Sequence, residues 1–318
     1  MESAEILNLQ GVEHLCNEEY GEAFPFFQKA SEAGNLDAQC NLAKLYNEGR
    51  GIIKDEKMGF KLLENAATKG HIYSQVNLAF MYKNGKGIER NLPKAIEWCE
   101  VAIENGNAEA MNTLGMIYLT SELKNYTKAH ACFILGSNNG NIDSQYNLGM
   151  MYKEGFGIPK DLAEAHKWLN ISAKAGNTTA QNTLGSLYYK GEGVEKSYSE
   201  AFKWFKSVVD GKDPMGLFNL AGMHYYGLGT PVNHTEAFKL YKQCAEILDD
   251  YASANMVGEM YEKGHGVEKN KEMAIEWYKR SIEKHYYPKG MGNLQRLSGA
   301  QSFITFGSAD GKLQHYLR

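Results

Sequence analysis

The sequence predicts an all-α fold, a solenoid of about eight helical hairpins followed by one terminal helix. Three repeated features support this prediction: a stripe of small and apolar residues, a glycine pair after it, and a helix-capping residue after the pair. Repeats of about 36 residues cannot bury their own apolar surface, so neighbouring repeats must stack on one another. An array of this kind places function on an extended surface, which disfavours a single compact catalytic pocket.

Glycine pairs of the form Gly-x-Gly divide the chain at nearly constant intervals. Successive pairs lie 36, 70, 36, 36 and 37 residues apart, and the interval of 70 spans two periods. The pairs are Gly49 and Gly51, Gly85 and Gly87, Gly155 and Gly157, Gly191 and Gly193, Gly227 and Gly229, and Gly264 and Gly266. Glycine favours the positive φ of a helix end, so each pair predicts the end of the first helix of a hairpin.

The residues before each pair form the apolar stripe of a helix. Counting Ser144 as position 0 of the fifth repeat, small or apolar residues fall at 0, +4, +7 and +8, which is the spacing of one helix face. Position +5 is glycine or alanine in every repeat, which predicts close approach of a second helix. Position +8 is tyrosine except in the seventh repeat, where we expect His224 to be a hydrogen-bonded core histidine.

A second helix is predicted to begin four residues after each pair, where the residue is a strong N-cap. These residues are Asp55, Asn91, Asp161, Ser197, Asn233 and Asn270. Seven positions after four of the caps stand tryptophans, which we interpret as core anchors: Trp98, Trp168, Trp204 and Trp277. The fourth repeat has no glycine pair and is two residues short.

The ends of the chain depart from the repeat, as terminal repeats do. We predict an N-terminal capping hairpin at residues 1–36, a repeat array at 37–288, and a C-terminal capping helix and tail at 289–318. The start of a ninth first helix is recognisable at residues 290–294, whereas the apolar alternation at 301–306 fits no repeat.

Composition narrows the classes of partner and compartment. A net charge of −4 disfavours nucleic acid as a partner, because nucleic-acid binding needs a concentrated basic face. No apolar run is long enough to span a membrane, and the N-terminal residues lack the pattern of a signal peptide. The five cysteines are scattered and odd in number, which is typical of reduced core thiols. The sequence therefore predicts a cytoplasmic protein, with injection into a host cell left open.

The repeat resembles the Sel-like repeats, close relatives of tetratricopeptide repeats. The resemblance is clearest from Ala180 and Gln181 through Leu184, Gly185 and Tyr188 to the Gly191 turn, and it covers roughly residues 4–288. It implies a right-handed α/α superhelix whose first helices line the concave side. It also implies adaptor, scaffold or regulator roles, among them toxin-immunity proteins and host-directed effectors. Some cysteine-rich secreted relatives are linked to penicillin binding, but their paired cysteines are missing here.

No group of residues in the sequence predicts catalysis. Neither His-Glu-x-x-His nor Cys-x-x-Cys occurs, and the Gly-x-Gly turns follow helices where a dinucleotide or phosphate loop would follow a strand. We predict no catalytic residue, no metal and no cofactor. The leading hypothesis is a non-catalytic scaffold that binds a protein or peptide. The alternatives are a hydrolase of β-lactamase-like activity, for which His224 is the residue to test, and an immunity or effector protein.

A partner-binding groove is predicted on the first helices at positions +2, +6 and +9, which point away from the core stripe. In the middle repeats these positions carry aromatic and apolar residues: Phe80, Met116, Tyr146, Met150, Tyr189, Phe218 and Tyr225. Asparagines at +3 flank them and are candidates for binding a peptide backbone: Asn77, Asn147 and Asn219. Tyrosine, phenylalanine and methionine suit a protein-binding surface. Packing between adjacent first helices is the other interpretation of the same residues.

Overall fold

The computed structural model describes residues 3–283 and 287–298 of the chain. It divides into two compact units, Met1–Asp161 and Leu162–Arg318. The predicted division into cap, array and tail stays a prediction, and the unplaced segment at 301–306 lies outside the described residues. No helix in the described part is both long enough and apolar enough to cross a membrane.

Seventeen α-helices and no β-strand make up the described residues, which confirms the all-α helical-repeat fold. The first unit contains α1 (Ala4–Cys16), α2 (Tyr20–Glu32), α3 (Leu36–Glu48), α4 (Glu56–Thr68), α5 (Ile72–Asn84), α6 (Leu92–Glu104), α7 (Ala108–Thr120), α8 (Tyr126–Asn138) and α9 (Ile142–Glu154). The second contains α10 (Leu162–Lys174), α11 (Thr178–Lys190), α12 (Tyr198–Asp210), α13 (Leu217–Tyr226), α14 (His234–Leu248), α15 (Tyr251–Lys263), α16 (Lys271–Arg280) and α17 (Pro288–Ser298). A short 3-10 helix, Pro214–Gly216, precedes α13.

Odd-numbered helices are the first helices of the repeats and even-numbered helices are the second helices. The first glycine of each pair adopts a left-handed conformation directly after its helix, with φ of 68° at Gly49 and 66° at Gly227. Caps predicted from sequence accept hydrogen bonds from the next turn, as Asn91 does from the Lys94 amide at 3.0 Å. The first helices are capped as well, by Asn35, His71, Asn107, Asn141, Asn177 and Asp250.

The core follows the predicted stripe of the first helices. Positions 0, +4 and +7 are buried in repeats two to eight, as at Ser144, Leu148 and Met151, each fully enclosed. The second glycine of each pair packs on the second helix of the preceding repeat, because a Cβ on Gly87 or Gly229 would collide with backbone at the start of α4 or α12. The glycine turn therefore forms part of the contact between neighbouring repeats.

The predicted role of the tryptophans needs correction. Trp98, Trp168 and Trp204 are only partly buried, and Trp277 alone of the four is buried. The residue after each of the four is enclosed: Cys99, Leu169, Phe205 and Tyr278. Adjacent helix residues point about 100° apart, and the small +5 residue of the first helix selects which one faces the core. The Phe205 ring lies so close to Gly185 that a Cβ there would stand 2.5 Å from it.

Candidate partner-binding surface

The predicted groove residues lie on what we call the A-helix face, positions +2, +3, +6 and +9 of the first helices. In the first unit, Phe80 is 44% exposed and carries the Lys86 ammonium over its ring at 5.2 Å. Met116, Tyr146 and Met150 are partly buried. These side chains are thus accessible within their unit, and their role in binding stays a prediction.

The second unit exposes aromatic residues on the same face. Tyr189 is 40% exposed and Phe218 is 39% exposed, and the Phe218 ring packs against Tyr241 at 5.5 Å between centroids. Tyr225 is partly buried, and its hydroxyl lies 3.1 Å from Nδ1 of His265. The His265 ring stacks on His234 at 4.5 Å between centroids. Tyr225 therefore packs mainly against His265 in the neighbouring turn and is less exposed to solvent than Tyr189 or Phe218.

The asparagines at +3 link successive first helices within each unit. The Asn147 amide donates to Oδ1 of Asn112 at 2.8 Å, and the Asn219 amide donates to Oδ1 of Asn182 at 3.0 Å. Exposed Asn77 donates to the Cys40 sulfur at 3.6 Å. These bonds fix the spacing between repeats, which is the structural role that the sequence left open beside peptide binding.

A pocket of about 390 Å³ opens on the A-helix face of the second unit. Its floor is made of buried Phe205, Met223, Tyr241 and Met256. Its walls carry Tyr189, Phe218, Asn219, Tyr226 and Tyr287, and Lys190 and Lys289 stand at its rim. Three predicted groove residues, Tyr189, Phe218 and Asn219, are thus brought together. Tyr226, which is 62% exposed, lines the pocket although the sequence pointed to its neighbour Tyr225.

The pocket exists because two consecutive first helices lack a large side chain at position +6. That position holds Lys44, Phe80, Met116 and Met150 in repeats two to five, then Ser186 and Gly222, and Glu259 in repeat eight. Gly222 has no positive φ. A Cβ built on it would meet only the Tyr241 hydroxyl, at an ordinary 3.4 Å. Neither backbone conformation nor helix packing requires glycine there. When the repeats are aligned, the sequence shows this as a change from large to small side chains at position +6.

The lining of this pocket carries two lysines and no carboxylate. Lys289 Nζ lies 2.8 Å from Glu259, which also pairs with Lys263 at 3.3 Å, so two ammonium groups share one carboxylate. Burial opposes ionisation of Glu259, but these ammonium groups hold its pKa below the usual value, and its hydrogen bond to Lys289 raises the pKa of the lysine. Lys190 is only loosely paired, because its Nζ lies 3.8 Å from the Glu192 carboxylate. The rim therefore keeps excess positive charge.

A smaller pocket of about 290 Å³ lies on the A-helix face of the first unit. Its lining includes Asn77 and Phe80 together with Cys40, Lys44 and Glu48. Burial raises the pKa of the Cys40 thiol, so it remains protonated and a poor nucleophile at neutral pH. This pocket is more polar than the one in the second unit and has charges of both signs.

His224 stands in the tyrosine column and packs edge-on against Phe202, with ring centroids 5.3 Å apart. Burial lowers its pKa, and its buried Nδ1 has no hydrogen-bond partner among the described residues. The ring is only partly buried, and among the described residues its Nδ1 lacks the hydrogen bond expected of a core histidine. Residues 3–283 and 287–298 contain no cluster of three or more His, Cys, Asp or Glu side chains suited to a metal ion.

The Sel1 repeat family model matches eight consecutive segments: residues 9–35, 36–71, 72–107, 108–141, 142–177, 178–207, 214–246 and 252–286. The chain belongs to the Sel1 repeat family. These segments coincide with the eight hairpins, and α17 lies beyond the last of them. Proteins of this family are generally non-catalytic scaffolds for protein–protein interaction, and the all-α repeat fold agrees with that class.

Relatives of known structure share the fold. The chain is 26% identical to the protective antigen c5321 of uropathogenic Escherichia coli, with a TM-score of 0.71 over 92% of this chain and 64% of that one. A Sel1 repeat protein from Oxalobacter formigenes gives 23% identity and a TM-score of 0.69, over 92% of this chain and 87% of the other. A rat protein, DAP3-binding cell death enhancer 1, is 35% identical over 159 residues, 49% of this chain. The chain spans only 31% of that relative.

Proposed function

We propose that this protein is a non-catalytic interaction scaffold that binds a segment of a partner protein along the A-helix face. The observation that carries the proposal is the presence of exposed aromatic side chains on the A-helix face of each unit, Phe80 in the first unit and Tyr189 and Phe218 in the second. Exposed aromatic rings on a rigid helical framework are the usual anchors of protein interfaces. Family membership supports the same class of function.

The likeness to the rat relative supports a protein as ligand, since the name of that relative describes binding to DAP3. The aligned region covers 49% of this chain and 31% of the relative. We therefore take from it the class of ligand and leave the partner of this chain to experiment.

Two pairs of serine substitutions test the proposal. Phe80→Ser with Tyr189→Ser removes one exposed ring from each unit, and we expect partner capture from a lysate of the native host to fall at least about tenfold. Because both rings are largely outside the core, the melting temperature should change by only a few degrees. Quantitative mass spectrometry of captured proteins, beside thermal melting of each variant, makes the measurement.

Leu135→Ser with Ile171→Ser is the matched control. These side chains are 53% and 40% exposed, but they lie on the second helices α8 and α10. Capture by the control should equal that of the wild type. Equal losses in both double variants would contradict binding on the A-helix face. Turnover of a chromogenic β-lactam or an ester by the purified protein, abolished in His224→Ala, would instead support the hydrolase alternative.

A further inference from the structure

We propose that the pocket of the second unit receives one bulky apolar side chain of a partner segment that carries a carboxylate beside it. The proposal rests on the proposed scaffold function and names the chemistry of the partner. Gly222 is the residue that opens the pocket, and Lys190 and Lys289 are the residues that recognise the acidic neighbour.

The volume of the pocket suits one large side chain. About 390 Å³ lies at the low end of the roughly 300–1,000 Å³ that enclose a small ligand, so the space suits a large side chain better than a cofactor. Its floor of Phe205, Met223 and Met256 is buried and apolar, and Tyr189 and Phe218 supply exposed ring faces beside it. Methionine and aromatic surfaces accommodate aromatic and branched aliphatic side chains through dispersion.

Helix packing does not require a glycine at position 222. Glycine inside a helix lowers helix stability relative to alanine. Four other glycines of first helices face a neighbouring aromatic ring that leaves no room for a Cβ: Gly11, Gly115, Gly185 and Gly258. Gly222 has no such neighbour, and the space that its missing side chain leaves is the pocket. A function of the empty space accounts for a glycine that packing does not.

The charge around the pocket favours an anionic ligand. Neither aspartate nor glutamate lines the pocket, while two lysines stand at its rim and a third, Lys263, shares Glu259 with Lys289. An anionic group that approaches the rim gains this excess positive charge. A cationic segment would meet ammonium groups with no carboxylate of the lining to pair with. Charge complementarity therefore selects a segment with aspartate or glutamate next to its apolar anchor.

Selection of a random peptide library on the immobilised full chain tests the inference. We expect enriched peptides to combine Trp, Phe, Tyr or Leu with Asp or Glu within two positions. Their affinity should fall at least about tenfold in Gly222→Leu, which fills the pocket. The control Gly292→Leu should bind as the wild type does, because a Cβ at Gly292 meets no neighbouring atom and Gly292 is not part of the pocket.

Lys190→Gln with Lys289→Gln isolates the charge. Affinity should fall roughly three- to tenfold at low salt, and its dependence on salt should flatten. Enriched peptides without acidic residues, or peptides that bind Gly222→Leu as tightly as wild type, would overturn the inference. If such peptides were lost on Phe80→Ser, the scaffold function would stand without this pocket. A library that yields no peptide above the bare matrix overturns the pocket inference, and capture of the native partner then judges the scaffold function separately.

Discussion

At the scale of single residues, the glycines of the first helices fall into two kinds. Gly185 is fixed by packing, since a Cβ there would stand 2.5 Å from the buried Phe205 ring. Gly222 is not fixed in this way, because its nearest neighbour would be the Tyr241 hydroxyl at 3.4 Å. The same residue type therefore serves close helix contact in one repeat and an open surface in the next.

Alanine substitutions separate the two kinds. Gly185→Ala should lower the free energy of unfolding by roughly 1–3 kcal/mol, because overpacking outweighs the gain in helix propensity. Gly222→Ala should raise it by up to about 1 kcal/mol, since only the propensity term changes. Urea denaturation of both variants and the wild type measures the difference. A stabilised Gly185→Ala would show that the Phe205 ring moves aside, which would contradict the tight contact between Gly185 and that ring.

At the scale of the hairpin, the turn depends on its cap more than on its glycines. In the fourth repeat, which has no glycine pair, the backbone N–H of Asn125 still donates to the Tyr118 carbonyl at 2.7 Å. The equivalent bond joins Asn91 to Tyr82 at 2.9 Å in the third repeat. Ser121 replaces the left-handed glycine, and its hydroxyl binds the Ile117 carbonyl at 2.6 Å. The same backbone hydrogen bond thus closes the hairpin in both cases, although the loop of the fourth repeat is two residues shorter.

The cap of α8 should therefore be sensitive to substitution. The Asn125 side chain accepts from the Lys128 amide at 3.0 Å, and Asn125→Ala should cost about 1 kcal/mol, within the usual 0.5–2. Asn125→Asp should retain most of that stability, because an anionic cap also suits the positive end of the helix. Urea midpoints of the two variants decide, and equal losses would point to the backbone rather than the cap.

At the scale of the whole molecule, aromatic pairs recur where repeats meet within each unit. Phe24 with Tyr46, Phe60 with Tyr82 and Phe238 with Tyr261 cross edge to face, at centroid distances between 5.2 and 5.9 Å. His130 and His166 replace the phenylalanine in two repeats and contact the hydroxyls of Tyr152 and Tyr188. The chain thus carries titratable rings at positions that elsewhere are apolar.

These histidines should make the protein acid-sensitive. Burial lowers the pKa of His130, His166, His224 and His265, and His234 and Lys263 add to the effect at His265. Groups with a folded pKa below their unfolded value bind more protons when unfolded, so stability is lost as pH falls through about 6.5 and below. The urea midpoint should therefore drop between pH 7 and pH 5.

The double variant His130→Phe with His166→Phe tests this assignment, because phenylalanine is the residue that other repeats use. Its urea midpoint should fall less over the same pH range than that of the wild type. Identical pH profiles would assign the loss of stability between pH 7 and pH 5 to other groups, such as His224 and His265. Glu259 and Glu262, whose pKa values their cationic partners lower, act at lower pH. Those carboxylates lose their stabilising pairs only as pH approaches and passes below their unfolded value of 4.5.

The sequence by itself determined the features that depend on near neighbours along the chain. Helix ends at Gly49 or Gly227, caps such as Asn91, and the buried stripe through Leu148 follow from local backbone preference and helical periodicity, so they were predictable. The spacing also placed Phe80, Tyr189 and Phe218 on one face of their helices, where the structure exposes them.

Only the tertiary structure decided the features that need two helices at once. Which of Trp204 and Phe205 is enclosed depends on the small residue of the facing helix, and a difference of one position rotates a side chain by about 100°. The pocket likewise arises from side chains that are small at Ser186 and Gly222 in adjacent helices, with a floor supplied by α12, α14 and α15. Empty space between elements has no local signature, because it is defined by what several distant segments do not fill.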